Sequence, residues 1–233
     1  MEILMAKVII FSGAGISAES GISTFRDAGG LWDEYKIEEI CTAGCLKWNR
    51  DKTLEFYNKR RVQLSDVEPN YAHKKIAELK AKYPDDIVVI TQNVDDLFER
   101  AGCLDVIHLH GFMPNIRCEK CGFIKTIGYT EQSDELCEKC QGSMRPDIVF
   151  FNEPAPMYAA LHIQITDVDF LVVIGTSGNV VNMDRVAKKA SHSILNNLEK
   201  SSAINARNYT KVIYNKATVA IDEIVKGIEA YLV

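Results

Sequence analysis

No stretch of this 233-residue sequence approaches the roughly 20 consecutive apolar residues that a membrane-spanning helix needs, which argues against one. A secretory leader is not expected either. The apolar opening at 8–11 is too short for a signal-peptide core and runs straight into a glycine turn. There is no excess of basic residues: 27 Lys and Arg against 32 Asp and Glu leave a net charge of −5, whereas surfaces built to neutralise phosphates are normally basic. Stable nucleic-acid binding is therefore not expected. Internal repeats, low-complexity tracts and evident linkers are also absent, so the chain reads as one large domain, or one domain with a smaller one inserted. Three of the seven cysteines, Cys41, Cys45 and Cys103, have no regular spacing. An odd cysteine total without a leader fits a reducing compartment, and a cytoplasmic protein is expected.

What is present begins with short apolar runs rich in β-branched residues. Segments 7–12, 87–91 and 170–175 each end in a polar or glycine-bearing turn, as buried parallel strands do. Weaker strands are expected at 106–109, 193–196 and 211–214. Helical patterns lie between them at 53–64, 70–82, 95–101, 184–190 and 218–232. Strands alternating with helices imply an α/β fold, a Rossmann-like doubly wound parallel sheet. Two stretches break the alternation: 32–69 is mostly helical, and 112–146 is polar and carries four cysteines. Both are read as insertions forming a small lobe, with 1–31, 70–111 and 147–233 forming the large domain.

Cys118, Cys121, Cys137 and Cys140 form two Cys-x-x-Cys pairs separated by fifteen residues. That is the spacing of a closed tetrahedral zinc site. Four thiolates leave no open position, so the metal is expected to be structural, one zinc ion in a ribbon. Such sites contribute about 10–16 kcal/mol, which offsets the small apolar content of this segment.

Gly13-Ala14-Gly15-Ile16-Ser17-Ala18 follows the first strand and is expected to open a helix, with glycines allowing close approach of a pyrophosphate. The acidic residue that dinucleotide-binding dehydrogenases carry about 20 residues later is missing, so a dinucleotide would be held differently. Gln92-Asn93-Val94-Asp95 sits at the carboxyl end of a strand, where open α/β sheets bind ligands; Asn93 or Asp95 can equally cap the next helix. His108 and His110 are equal candidates for a general base, since both would lie on one face of a strand. Gly175-Thr176-Ser177 and Asn197-Leu198-Glu199 end two further strands.

Taken in order, the glycine turn, Thr24-Phe25-Arg26-Asp27, Gln92-Asn93-Val94-Asp95, His110-Gly111, the cysteine pairs, Phe150-Phe151-Asn152-Glu153, Gly175-Thr176-Ser177 and Asn197-Leu198-Glu199 resemble the sirtuins, over nearly the whole chain. The resemblance implies an NAD-dependent protein-lysine deacylase whose large and small domains hold NAD and acyl-lysine proteins or peptides in a cleft between them. It implies that His110 is the base acting on a ribose hydroxyl, and that the acyl group leaves as O-acyl-ADP-ribose with release of nicotinamide. Asn93 and Asp95 match the nicotinamide pocket, and Phe25 and Arg26 a cofactor loop. Gly13, Ala14, Gly15, Ile16, Ser17, Thr176, Ser177, Asn197 and Ala217 match phosphate, ribose and adenine contacts. Trp32, Gln92 and Gly175 complete the expected NAD set.

Tyr57 and Arg60, one helical turn apart, match the Tyr-x-x-Arg of the subclass that removes succinyl and malonyl groups. A guanidinium can take a carboxylate through two hydrogen bonds, and the phenol can add a third. The alternatives are a plain deacetylase, in which this pair is ordinary helix surface, and a non-catalytic NAD-responsive binding module. Two departures from the family pattern stand out. Asn152 replaces a usual glycine, and Asn182-Met183 a usual Pro-Ala, which puts local loop shape in question.

Overall fold

The structure, a computed structural model, describes residues 8–22 and 35–233. The expected cofactor residues Phe25, Arg26 and Trp32 lie outside them. The strands, in chain order, are β1 (Val8–Ser12), β2 (Ile87–Thr91), β3 (Ile107–His108), β4 (Gly111–Cys118), β5 (Ile124–Thr126), β6 (Met144–Ile148), β7 (Phe170–Ile174), β8 (His192–Asn197) and β9 (Lys211–Tyr214). The helices are α1 (Ile37–Ile40), α2 (Cys45–Trp48), α3 (Arg50–Ser65), α4 (Tyr71–Lys82), α5 (Leu97–Arg100), α6 (Tyr158–Gln164), α7 (Asp184–Lys189) and α8 (Ala217–Leu232). No helix among the described residues is long and apolar enough to cross a membrane.

Six strands form one parallel sheet in the order β3-β2-β1-β7-β8-β9. β1 and β7 are wholly buried because helices cover both faces, which is why their sequences are continuously apolar rather than alternating. Val8 and Ile10 face a core shared with Ile76 of α4 and Ile221 and Ile224 of α8. Ile9 and Phe11 face the opposite core, with Leu161 of α6 and Ala187 of α7. From β1 the chain winds towards β3 on one side and from β7 towards β9 on the other. The switch point between β1 and β7 is where such sheets leave a ligand crevice. Ser12 lies level with both Thr91 and Ile174, so the turns after β1, β2 and β7 emerge at one edge.

The helix expected after the glycine turn does not form as such. The chain makes two short 3-10 turns, Ala14–Ile16 and Ala18–Ser20, and stops at Gly21 with φ 95°. The cause is crowding. A Cβ on Gly15 would sit 2.7 Å from the Gly175 Cα, and the Gly15 N–H donates to the Gly175 carbonyl at 2.8 Å. These glycines let two strand-end turns touch. Asn70 fixes the result from below: its side-chain oxygen caps α4, and its amide donates to the Ile16 carbonyl at 2.7 Å.

In the four-cysteine segment, expected to be a zinc ribbon, β4, β5 and β6 form an antiparallel sheet. No period-two pattern marks β4, which spans eight residues but carries Pro114 and a register shift between Gly111 and Ile116. Helix α3 docks against this ribbon. The Arg50 guanidinium donates to Glu119 at 2.7 Å and to Asp134 at 3.2 Å, and Asn58 and Gln132 exchange two hydrogen bonds at 2.8 and 2.9 Å. The fully buried Arg61 donates to the Met113 carbonyl at 3.0 Å.

Candidate active site and four-cysteine centre

One cavity of about 560 Å³ opens at the switch point and runs towards the small lobe, within the range of small-molecule sites. Its wall includes Gly13, Ala14, Gly15 and Ser17 after β1, Gln92, Asn93 and Asp95 after β2, Gly175, Thr176 and Ser177 after β7, and Asn197 and Ala217. Of the expected cofactor residues that are described, only Ile16 falls outside this wall; it is buried in the core beside Val8 and Ile10.

Ser17 is the hub of the buried polar group. Its hydroxyl donates to Asp95 Oδ2 at 3.0 Å and accepts from Asn93 Nδ2 at 3.0 Å. His73 Nε2 lies at 3.4 Å from the same oxygen; burial pushes the His73 pKa down to about 3, leaving it neutral. Burial raises the Asp95 pKa, against the hydrogen bonds from Leu97 N–H and Ser17. The capping role weighed above falls to neither Asn93 nor Asp95: the N-cap of α5 is Asp96, and Asp95 Oδ1 accepts the Leu97 N–H at 3.2 Å in the turn before it. On the other side of the crevice, Gln92 Nε2 donates to Thr176 Oγ1 and Asn197 Nδ2 to the Thr176 carbonyl, both at 2.9 Å. Three strand ends are thereby tied together.

The two histidines separate because β3 ends at His108. Gly111 takes φ 97° and passes so close to Asp147 that a Cβ would lie 2.0 Å from its carbonyl oxygen. Only glycine allows that crossing. His108 is drawn under the β2 turn, with Nδ1 2.9 Å from the Asn93 carbonyl and Nε2 2.8 Å from Glu99. Burial opposes its charge, but Glu99 outweighs this and its pKa rises. His110 alone lines the cavity. Its Nδ1 donates to the Gln92 carbonyl at 3.0 Å, and its Nε2 meets Tyr158 Oη at 3.0 Å. Burial lowers its pKa, keeping the imidazole neutral.

At the far end, α3 presents both Tyr57 and Arg60 to the cavity, beside Cys41, Leu64, Met113 and Phe150. Tyr57 is 3% exposed, stacks on Phe150 at 5.5 Å and donates to Cys41 Sγ at 3.0 Å. Burial holds the phenol protonated and lowers the Arg60 pKa, against the nearby Asp95 carboxylate. The departures from pattern find local reasons. Asn152 adopts φ 65°, a left-handed conformation that Asn tolerates better than most residues. Asn182 accepts the Asp184 N–H in the turn that leads into α7, whose N-cap is the buried Met183.

The four cysteine sulfurs lie within 4.8 Å of one another, with Cys118 and Cys140 at 3.5 Å and Cys121 and Cys137 at 3.7 Å. A tetrahedron of Zn–S bonds near 2.3 Å has S···S edges of about 3.8 Å, so the donor set fits zinc. N–H groups of Cys121 and Lys120 point at the Cys118 sulfur, at 3.5 and 3.4 Å, as donors that stabilise a thiolate. None of the four lines the cavity.

Tyr158, Cys41, His73 and Glu19 at this site escaped the sequence reading. Glu19 accepts the Thr218 N–H and hydroxyl at the start of α8. Each meets its partners across long sequence separations, and no local pattern marks them.

A doubly wound parallel sheet with its cavity at the switch point, joined to a four-cysteine ribbon, defines an α/β protein built to bind a nucleotide-like ligand. The particular family follows from comparison: residues 13–182 match the Sir2 family, and the chain belongs to it. It is 48% identical over 229 residues to an NAD-dependent protein deacylase of Campylobacter jejuni, covering 98% of both chains. It is 41% identical to a protein of the same name from Helicobacter hepaticus, covering 98% of this chain and 100% of that one. Among solved structures, a Sir2 homologue mutant in complex with ADP-ribose superposes with TM-score 0.86 at 31% identity, covering 99% of this chain and 95% of that one. A Sir2 homologue–NAD complex gives 0.85 at 30% identity, covering 99% and 93%.

Proposed function

We propose that this protein is an NAD-dependent protein-lysine deacylase that removes succinyl and malonyl groups, and acetyl groups as well. One observation carries the reading. A single cavity joins the strand-end turns at the β1–β7 switch point to His110 and then to Tyr57 and Arg60. The names of the relatives and the nucleotide complexes of the structural neighbours support the nucleotide end of it.

In this reading the turns at 13–17 and 175–177, with Asn197 and Ala217, hold the adenosine and phosphate part of NAD. Asn93 and Asp95, locked by Ser17, line the nicotinamide side. NAD supplies an electrophilic ribose carbon and the hydroxyl to be deprotonated. His110 presents Nε2 to that hydroxyl, because Nδ1 is committed to the Gln92 carbonyl. Lys216 and Glu199 stand at the cavity rim near Asn197. Zinc holds the ribbon, and through β4 and β6 it holds the Met113 and Ile148 wall.

Acyl preference is tested by giving the enzyme acetyl, malonyl and succinyl versions of one peptide with NAD and measuring nicotinamide release. Arg60→Met is expected to reduce desuccinylation efficiency at least about tenfold to a hundredfold, since it removes a charge-assisted hydrogen bond and leaves the carboxylate unpaired in a narrow pocket. Deacetylation should change much less, because acetyl-lysine has no carboxylate to lose. Parallel losses on both would assign Arg60 to structure or cofactor. Unchanged desuccinylation would leave a plain deacetylase, and no nicotinamide release with any acyl peptide would favour a non-catalytic binding module.

A further inference from the structure

Tyr158 is the first residue of α6, half-buried, and shares the cavity wall with His110. The ring centroids are 5.9 Å apart and tilted by 47°. The direction of the hydrogen bond between them is fixed by what lies on the other side of the imidazole. The Gln92 oxygen, 3.0 Å from Nδ1, is a carbonyl and only accepts, so Nδ1 carries the proton. Burial disfavours a second proton on the ring, and Nε2 is left as a bare lone pair. The Tyr158 hydroxyl therefore donates to Nε2 across 3.0 Å, and burial raises its own pKa, so it remains a donor.

This lone pair is the one a general base must offer. We infer that Tyr158 is a positioning residue that caps His110 Nε2 before substrate binds, holding the ring orientation that the Gln92 carbonyl sets from the other side until the substrate hydroxyl displaces it. The inference rests on His110 being the base. Among the described residues, Tyr158 is the hydrogen-bond partner of Nε2, and Gln92 engages only Nδ1. The charged groups of the surrounding elements are engaged with one another: Asp95 takes the Ser17 hydroxyl, His108 meets Glu99, Glu153 pairs with Arg145, and Asp147 lies 3.8 Å from Arg117. Arg60 lies in the Tyr57 wall. Glu19 is held by Thr218, Glu199 and Lys216 line the rim, and His162 on α6 is exposed. A cap of this kind resists protonation of the base and suppresses alternative ring orientations, but a substrate must break one neutral hydrogen bond to enter.

Tyr158→Phe removes the hydroxyl and keeps the ring. The chain has five histidines, so 15N-histidine spectra of the full protein can follow His110, assigned by its loss in His110→Ala. In the wild type the neutral ring should be the Nδ1–H tautomer. In Tyr158→Phe the titration midpoint should move up by roughly half a pH unit, because the neutral form loses a hydrogen bond. With acyl-peptide and NAD, the acidic limb of kcat/KM should move up by the same amount. Above that limb kcat/KM should rise roughly two- to fivefold, with kcat within about twofold of wild type. An unmoved midpoint would show that the hydroxyl does not cap the ring. A tenfold or greater fall in kcat would show that Tyr158 takes part in the proton transfer itself. Either result overturns the inference. If His110→Ala kept the wild-type rate, the base assignment would fall instead, while the midpoint still decided whether the cap exists.

Discussion

His110→Ala should lower turnover by on the order of 10²–10⁴, while the protein stays folded and still binds NAD. The ring contributes one strand-end hydrogen bond to Gln92 and one to Tyr158, neither of which holds the sheet together. Deletion therefore removes chemistry more than structure. The pH profile carries a second signature. A base must be neutral, and burial holds the His110 pKa below its ordinary 6.5. The acidic limb of the activity should therefore lie below the ordinary 6.5. His108 is expected to behave differently: its raised pKa and its contacts with Glu99 and the Asn93 carbonyl make it a charged brace beneath the β2 turn. His108→Ala should loosen that turn and raise KM for NAD before it slows the chemical step. If His108→Ala were the more damaging to turnover, with both variants folded, the assignment of the base would be reversed.

Which histidine faces the cavity illustrates what the sequence carried and what it did not. Strands 87–91 and 170–174 were legible because both faces are largely buried, so apolar residues run through them, Thr91 excepted, and no register needs to be known. The four cysteines were legible because each Cys-x-x-Cys pair works at short range. The choice between His108 and His110 depends on where β3 stops, and that is set by Gly111 passing the Asp147 backbone. Period-two reasoning assumed a strand through both residues. Similarly, the glycine turn suggested a ligand-binding helix, whereas the contact with Gly175, about 160 residues away, shortens it to 3-10 turns. Adjacent Arg60 and Arg61 look alike in sequence. Packing of α3 sends Arg61 into the ribbon and leaves Arg60 in the cavity wall. In each case long-range packing decided what local pattern left open.

Cys137→Ala should abolish zinc binding and activity together. A closed four-thiolate site contributes about 10–16 kcal/mol, comparable to or larger than the whole stability of a typical domain. The ribbon has little apolar core of its own, since its buried cluster is Ile116, Cys118, Cys137 and Met144. Two of those residues are cysteines that the metal would bind. The damage should spread along β4, which carries Met113 of the cavity wall and Cys118 of the metal site on one strand and begins one residue after His110. β6 couples Met144 to Ile148 in the same way. The expected result is metal loss by elemental analysis, protease cleavage within 112–146, and an inactive protein whose parallel sheet remains folded. Chelation of the wild type should reproduce this, with recovery when zinc is returned. The lining of the cavity excludes all four cysteines, so any loss of rate must be transmitted through the ribbon. A variant that lost zinc yet kept an ordered ribbon and its full rate would sink the structural role. A variant that lost its rate with the ribbon intact would place the metal in the reaction.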